Sequence, residues 1–220
     1  MSAFDLIIFD CDGVLIESET IAQRVESALF RERGADISPQ DVGRRYTGTT
    51  EALMHKDVEE RFGITIDAVE ISAAFDAMFW PLAERELKAT PGVIDFIETL
   101  SHDRCVCSNS PAHRIKRGLE IAGIKRIAEE FYFAATDHGE GKPAPDVFLH
   151  AARVFAVDPA RCLVIEDSVF GVQGGCAAGM SVAGYIGGSH STAGHADRLR
   201  GAGAQLATDD WSDIRDLVQG

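Results

Sequence analysis

Two carboxylates stand one residue apart in Phe9-Asp10-Cys11-Asp12-Gly13-Val14, just where the apolar run Leu6-Ile7-Ile8-Phe9 ends. The run is short and unbroken, which reads as a buried strand. Residues two apart on a strand point to the same side, so Asp10 and Asp12 are expected together at the mouth of a sheet. Two like charges that close cost free energy unless a cation sits between them or one keeps a proton. The pair therefore predicts a site that uses a cation, a transferable proton, or both.

Three further strand ends carry polar residues. The strand expected from Arg104 ends in Ser108-Asn109-Ser110, followed by Pro111 and a helix. The strand expected over Phe131 to Ala134 leads to Gly141-Lys142-Pro143-Ala144-Pro145-Asp146. Leu163-Val164-Ile165 ends in Glu166-Asp167-Ser168. Ligands of open parallel sheets bind beyond the carboxyl ends of the strands. One mouth would thus gather Asp10, Asp12, Glu166, Asp167, Ser108 and Lys142, an inventory for metal-assisted phosphoryl transfer.

The residue types suit that chemistry. Mg²⁺ takes oxygen ligands, usually one or two carboxylates with waters and phosphate oxygens. Asp10 and Asp167 can supply the carboxylates, with Glu166 acting directly or through water. Asp10 can also attack phosphorus and form an aspartyl-phosphate, splitting one hard displacement into two. Asp12 is placed to protonate the leaving oxygen and then deprotonate water, help typically worth ~10²–10⁴ in rate. Ser108 and the N–H groups of the next helix start can hold phosphoryl oxygens, and Lys142 balances their charge. Taken alone, Ser108 reads as a helix N-cap and Lys142 as a turn lysine. Their placement at matched strand ends carries the functional reading.

The elements that must position these residues follow from the pattern. Strands expected at Arg104 to Ser108, Phe131 to Ala134, Arg161 to Glu166 and Ser181 to Tyr185 alternate with helices near Val93 to Leu100, His113 to Ala122, Pro145 to Phe155 and Val169 to Ala178. Such alternation implies an α/β fold with a parallel sheet covered on both faces. Between about Ser18 and Leu87 only helical periodicity is found, in Ile21, Val25 and Leu29, in Leu53, Val58 and Phe62, and in Phe75, Phe79 and Leu82. That block reads as an inserted helical cap over residues 15–89, with a core over 1–14 and 90–220. Trp211, Ile214 and Leu217 are expected to pack a final helix.

Composition narrows the function classes. The chain has 220 residues, 45% apolar and 25% charged, with a formal net charge of −14. That balance is ordinary for a globular protein, and the acidity argues against a nucleic-acid partner, which needs clustered Lys and Arg. An anionic small substrate remains compatible, because a local site can be cationic. No basic leader precedes an apolar run of signal-peptide length, and no run reaches the ~20 residues of a membrane span. Cys11, Cys105, Cys107, Cys162 and Cys176 lack metal spacing and are expected as reduced thiols, most of them in the core. The chain is expected to be cytoplasmic, as a monomer or weak homodimer.

Asp10-x-Asp12-Gly13-Val14, Ser108, Gly141-Lys142-Pro143-x-Pro145-Asp146 and Glu166-Asp167-Ser168 resemble, in order, the four motifs of the haloacid dehalogenase superfamily. The resemblance spans essentially the whole chain and implies a Rossmann-like core with an α-helical cap inserted after the first motif. That cap position is typical of the subgroup with β-phosphoglucomutase, phosphoglycolate phosphatase and small sugar-phosphate phosphatases. It implies Asp10 as nucleophile, Asp12 as acid/base, Ser108 and Lys142 as stabilisers of phosphate and intermediate, and Asp167 as a Mg²⁺ ligand with the Asp12 backbone carbonyl. Asp12 is the second carboxylate that phosphatases and mutases have and dehalogenases lack. Lys56 lies in the cap, but Asp12 argues against a Schiff-base mechanism. Ala22 stands where a mutase-like chain would carry histidine; Glu17 and Asn109 also depart from the commoner residues.

Within the cap, Thr47-Gly48-Thr49-Thr50 falls where the substrate is usually faced, and Arg45 just before it is placed for a second phosphate or a carboxylate. Arg45, Thr49 and Asn109 are therefore the substrate-binding candidates. His190 and His195, five apart, are read as part of a flexible loop on the active-site side, with His195 near a helix start. The leading expectation is a Mg²⁺-dependent phosphatase of a small phosphorylated sugar, polyol or sugar acid. A β-phosphoglucomutase-like mutase and a non-catalytic phospho-ligand-binding protein are the alternatives.

Overall fold

β1 (Leu6–Phe9) is buried along its whole length and pairs in parallel with a strand on either side. The protein is seen in a computed structural model that describes residues 3–124 and 131–220. The flanking strands are β2 (Asp103–Ser108) and β4 (Cys162–Glu166). β3 (Tyr132–Ala134) extends the sheet beyond β2, and β5 (Ser181–Tyr185) and β6 (Leu206–Thr208) extend it beyond β4. The order β3-β2-β1-β4-β5-β6 is parallel throughout. Winding reverses at β1, which opens a crevice beyond the carboxyl ends of β1 and its neighbours.

Because strand side chains alternate, β1 serves two cores. Ile7 and Phe9 pack with Phe96, Leu119, Ile165 and Trp211 on one face. Leu6 and Ile8 pack with Val147, Phe148, Val172 and Leu199 on the other. The first face is covered by α5 (Val93–Thr99), α6 (Ala112–Ile121) and α10 (Trp211–Gln219). The second is covered by α7 (Asp146–Val154), α8 (Val169–Ala177) and α9 (His195–Ala202). Trp211 stacks on Tyr185 with centroids 4.4 Å apart and donates from Nε1 to the Pro91 carbonyl at 2.9 Å. Ile214 is fully buried and Leu217 partly buried beside it.

Between β1 and α5 the chain forms α1 (Glu19–Glu32), α2 (Pro39–Tyr46), α3 (Glu51–Phe62) and α4 (Ala68–Glu86). Ser38, Thr50 and Asp67 accept hydrogen bonds from backbone N–H groups at the starts of α2, α3 and α4, which satisfies otherwise orphaned donors. Two crossings join these helices to the sheet, and the crossings are tied to each other. Glu17 N donates to Lys88 O at 2.9 Å, Thr90 N to Leu15 O at 3.0 Å, and Thr90 Oγ1 to Val14 O at 2.5 Å.

The expected strands are all present, β2 starting one residue early and β3 and β4 each one residue late. Among the described strands and α-helices, β6 and α2 were not anticipated. β6 has only three residues, too few to show a period of two. α2 buries only Val42 and Tyr46 in eight residues, so its apolar signal is faint. α9, expected only as a helix start near His195, buries only His195 and Leu199. Of the cysteines, four are buried and Cys176 is exposed; all are free. Among the described residues no helix is long and apolar enough to cross a membrane.

Candidate active site

The carboxyl end of β1 does not stop its ladder at Phe9. Asp10 N donates to Ile165 O of β4 at 2.9 Å, so the Asp10 side chain is carried at the edge of the crevice on sheet-fixed backbone. A tight turn follows, in which Leu15 N and Ile16 N both donate to Cys11 O. Gly13 makes this turn at φ 81°, a conformation that costs a residue with a Cβ but not glycine. The turn carries Asp12 away from the sheet. Its Oδ1 accepts from Ser18 Oγ at 2.5 Å, beside the start of α1, and its Oδ2 from Ser110 Oγ at 2.8 Å.

Lys142 holds the floor of the site together. It is 2% exposed, and its Nζ donates to Asp10 Oδ1 at 2.6 Å, Glu166 Oε1 at 2.7 Å and Cys107 O at 2.8 Å. An ammonium has three donors, and all three are used. Burial opposes its charge, yet the Asp10 and Glu166 carboxylates hold it protonated above its ordinary value. Glu166 is filled from the other side, its Oε2 accepting from Ser168 N at 2.8 Å and Ser168 Oγ at 3.0 Å. Ser108 is buried at the end of β2; its Oγ accepts from Ser110 N at 3.0 Å and reaches Asp12 Oδ2 at 3.4 Å.

One lysine does not neutralise these carboxylates. Burial raises Asp10 well above the ordinary carboxylate range; the Glu166 charge adds to this and Lys142 opposes it. Asp10, Glu166 and Asp167 can bring one oxygen each within 4.8 Å of one another. Asp167 Oδ2 is buried without an aligned donor. A Cβ built on Gly13 would fall 1.9 Å from that oxygen, so the turn leaves room that only glycine allows. An all-oxygen cluster with surplus negative charge fits a hard divalent cation such as Mg²⁺.

Asp167 also gathers the two histidines. His190 Nε2 lies 2.8 Å from Asp167 Oδ2, off the line that a hydrogen bond requires, with both side chains nearly inaccessible. His195, on the first turn of α9, places Nε2 2.6 Å from the Asp167 carbonyl and Nδ1 2.8 Å from Ser191 Oγ. Glu17 fixes the loop by accepting from Ser189 N at 2.9 Å and from Ser189 Oγ. The segment expected as a flexible loop is thus packed against the site, because buried carboxylate and carbonyl oxygens give its histidines partners. Burial works against a charge on His190, but Asp167, Glu19 and Glu17 raise it to about 9.

That shift makes a stability prediction. A histidine whose folded pKa is raised contributes stability that is complete below its unfolded value of about 6.5 and is lost as pH rises through the folded value. In EDTA, the melting temperature is expected to fall by several degrees between about pH 6.5 and 9. His190→Gln should flatten that limb in thermal scans. A melting temperature that stays level or rises over the window in the parent chain would refute the assignment.

The cavity above these groups has a volume of about 120 Å³ and is walled by residues of α1, α2, α3, α4 and α6. Asp10, Asp12, Ser108, Asn109, Lys142, Glu166, Asp167 and Thr49 all line it. Thr49 Oγ1 donates to Tyr46 O at 2.7 Å. The Asn109 amide is engaged on both sides: Oδ1 accepts from Lys142 N at 2.8 Å and Nδ2 donates to Gly48 O at 3.0 Å. Asn109 thereby ties the lysine loop to the inserted helices. Arg45 is exposed and lies on an outer groove with Arg44, Asp57 and Phe170, not on the cavity wall.

The cavity's own arginine is Arg114 of α6, missed in the sequence because nothing separates it from the other cations of an amphipathic helix. Ser18, Ser110, Glu19, Gln23 and Glu26 also line the cavity and were not singled out. Only Ser110, two residues after Ser108 at the same strand end, carried a usable signal.

Sequence comparison agrees with this architecture. Residues 4–179 match the family model described as haloacid dehalogenase-like hydrolase. The chain is 30% identical over 182 residues to a 6-phosphogluconate phosphatase of Escherichia coli K12, covering 83% of this chain and 82% of that protein. A haloacid dehalogenase-like protein of unknown function from Agrobacterium tumefaciens superposes with a TM-score of 0.82 at 41% identity, over 98% and 97% of the two chains. A family hydrolase from Deinococcus radiodurans, solved with bound phosphate and sodium, gives 0.74 at 28% identity over 98% and 95%. This chain belongs to the haloacid dehalogenase-like hydrolases.

Proposed function

We propose that the chain is a Mg²⁺-dependent phosphatase that hydrolyses a small phosphorylated sugar, polyol or sugar acid through an aspartyl-phosphate on Asp10. The observation that carries this reading is the separation of the two aspartates. Asp10 is held on sheet-fixed backbone by Lys142, while Asp12 turns away toward Ser18 and Ser110. Two carboxylates in such different surroundings can take different roles.

In the first step an Asp10 oxygen attacks phosphorus and the ester P–O bond breaks. Asp12, as the carboxylic acid, gives its proton to the departing alkoxide. In the second step Asp12 takes a proton from water as the water attacks phosphorus, the bond to Asp10 breaks, and inorganic phosphate leaves. Ser108 and the first N–H groups of α6 face the phosphoryl oxygens, with Lys142 beneath them. Bound by Asp10, Asp167 and the Asp12 carbonyl, with Glu166 close by, Mg²⁺ would supply positive charge for the phosphoryl group. Residues 15–89 act as a cap that excludes water from the core formed by 1–14 and 90–220.

The relatives' names point the same way: the E. coli protein is a 6-phosphogluconate phosphatase, and a Thermotoga maritima relative, 26% identical, is a phosphorylated carbohydrates phosphatase. Ala22 on the cavity wall, where a mutase resemblance calls for histidine, does not favour transfer to a second sugar position. The test is phosphate release from a panel of sugar, polyol and sugar-acid phosphates. Release is expected with Mg²⁺ and not in EDTA, and Asp12→Asn should lower kcat by ~10²–10⁴. No release from any ester, or full activity of Asp12→Asn, would sink the reading.

A further inference from the structure

α1 presents Glu19, Gln23 and Glu26 to the cavity, spaced i, i+4 and i+7 on one face. At 1.5 Å per residue the row runs about 10 Å away from the reacting centre. Its near end senses the site, since His190, Asp167 and Asp12 act on Glu19; its far end feels the charges of Glu51 and Arg114. Burial lifts Glu19 to about 7 and Glu26 well above the ordinary range. Glu26 has no hydrogen-bond donor among the described residues. Gln23 is fixed against α2, where a Cβ on Gly43 would come within 2.6 Å of its amide. Across the row stand Phe75, Phe79 and Trp80.

The cations that line the cavity are both spent. Lys142 has given its three donors to the floor. Arg114 donates from Nε to Asp76 Oδ1 at 2.7 Å, from Nη1 to Glu51, and from Nη2 to Ser72 Oγ at 2.8 Å and Ser72 O at 3.2 Å. A ligand reaching along α1 therefore meets carboxyl groups and an amide on one side and aromatic faces on the other. Among the described residues it finds no free positive charge to receive an anion.

Resting on the phosphatase reading, we propose that Glu19, Gln23 and Glu26 select a phosphate ester whose far end carries hydrogen-bond donors, hydroxyl or ammonium, and reject one that ends in a carboxylate. A polyol lays its hydroxyls on such a row and its C–H faces on the aromatic wall, whereas a terminal carboxylate is stripped of water beside two acids and meets no free cation among the described residues, a desolvation that nothing there offsets.

Sorbitol 6-phosphate and 6-phosphogluconate differ only at C1, as alcohol or carboxylate, and so isolate the effect. With Mg²⁺, kcat/KM is expected to favour sorbitol 6-phosphate by about tenfold or more, the scale of one unfavourable charge contact. Glu26→Gln should narrow the ratio, and this swap of like shape removes an unpartnered carboxyl rather than a packing group. 1-Amino-1-deoxysorbitol 6-phosphate separates the two donors, tighter use than sorbitol 6-phosphate marking an ammonium site and equal use a hydroxyl site. Binding of the same esters to Asp10→Asn protein, read by calorimetry, tests selection without turnover. Preference for sorbitol 6-phosphate in binding with no turnover of any ester would uphold the selection and overturn the phosphatase reading. Equal or tighter binding of 6-phosphogluconate, unchanged in Glu26→Gln, would overturn the selection even with rapid turnover.

Discussion

Asp10→Asn is expected to reduce phosphate release by on the order of 10⁴–10⁶ while leaving the chain folded, the scale seen when a covalent nucleophile is removed. An amide oxygen is a poor nucleophile, and the adjacent Glu166 carboxylate is already filled by Lys142 and Ser168. Folding should tolerate the change. Asp10 shares one lysine with Glu166 beside Asp167, and burial has already raised it well above the ordinary carboxylate range. An acid with a raised folded pKa contributes stability below its unfolded value and loses it as pH rises through the folded one. Without metal at neutral pH, Asp10→Asn should therefore melt no lower than the parent. With Mg²⁺ the order should reverse, since the parent alone keeps that ligand. Thermal scans with EDTA and with Mg²⁺, beside single-turnover phosphate release, separate the two effects. A variant that retains a tenth of the activity, or that unfolds in EDTA where the parent does not, would remove Asp10 from the role.

The legible part of this site is the part that hangs on strand ends. Asp10, Ser108, Lys142, Glu166 and Asp167 are found around one crevice because apolar runs declare parallel strands, and parallel strands deliver their carboxyl ends to one side. The cap side obeys no such rule. Arg45 stood near a loop expected to face substrate, yet the helical phase of α2 turns it to an outer groove. Arg114 reaches the cavity from the core, where its neighbours in sequence are ordinary amphipathic residues. The row Glu19, Gln23 and Glu26 has helical spacing, but a polar stripe reads as solvated until another layer is known to cover it. His190 and His195 acquire meaning only through Asp167, more than twenty residues earlier in the chain.

This division has a physical basis. Groups that act on phosphorus must be held by the most rigid elements, and those elements have short, strongly apolar signatures. Groups that select the rest of the substrate sit on helices whose facing is decided by packing between layers. Asn109 shows how the halves meet: its amide joins the Lys142 backbone to Gly48 of the inserted helices. A residue expected to touch substrate is thus also a brace between the lysine and the wall that closes over it.

Lys142→Met is expected to be the most damaging single change, acting on folding and on chemistry together. Methionine can fill much of the volume, so the loss measures charge more than packing. Removing the ammonium leaves Asp10 Oδ1, Glu166 Oε1 and Cys107 O without their donor, in a place 2% exposed. Breaking a buried pair by deleting one partner typically costs about 3–5 kcal/mol, or roughly 10 °C in melting temperature for a chain of this size. The deficit should depend on pH in a defined direction. Acid protonates Asp10, which burial already raises well above the ordinary carboxylate range, and makes the missing charge less costly, so the gap between variant and parent should be smaller at pH 5 than at pH 8. Mg²⁺ should restore part of the stability at pH 8 by neutralising the same carboxylates. It should not restore turnover, because Lys142 sets the position of Asp10 as well as its charge; kcat should stay about 10³-fold down even where the variant is folded. Lys142→Arg is expected to fail too, since a planar guanidinium cannot aim three donors at oxygens converging on one nitrogen. A deficit of equal size at pH 5 and pH 8 would assign Lys142 to packing and take the charge argument down with it.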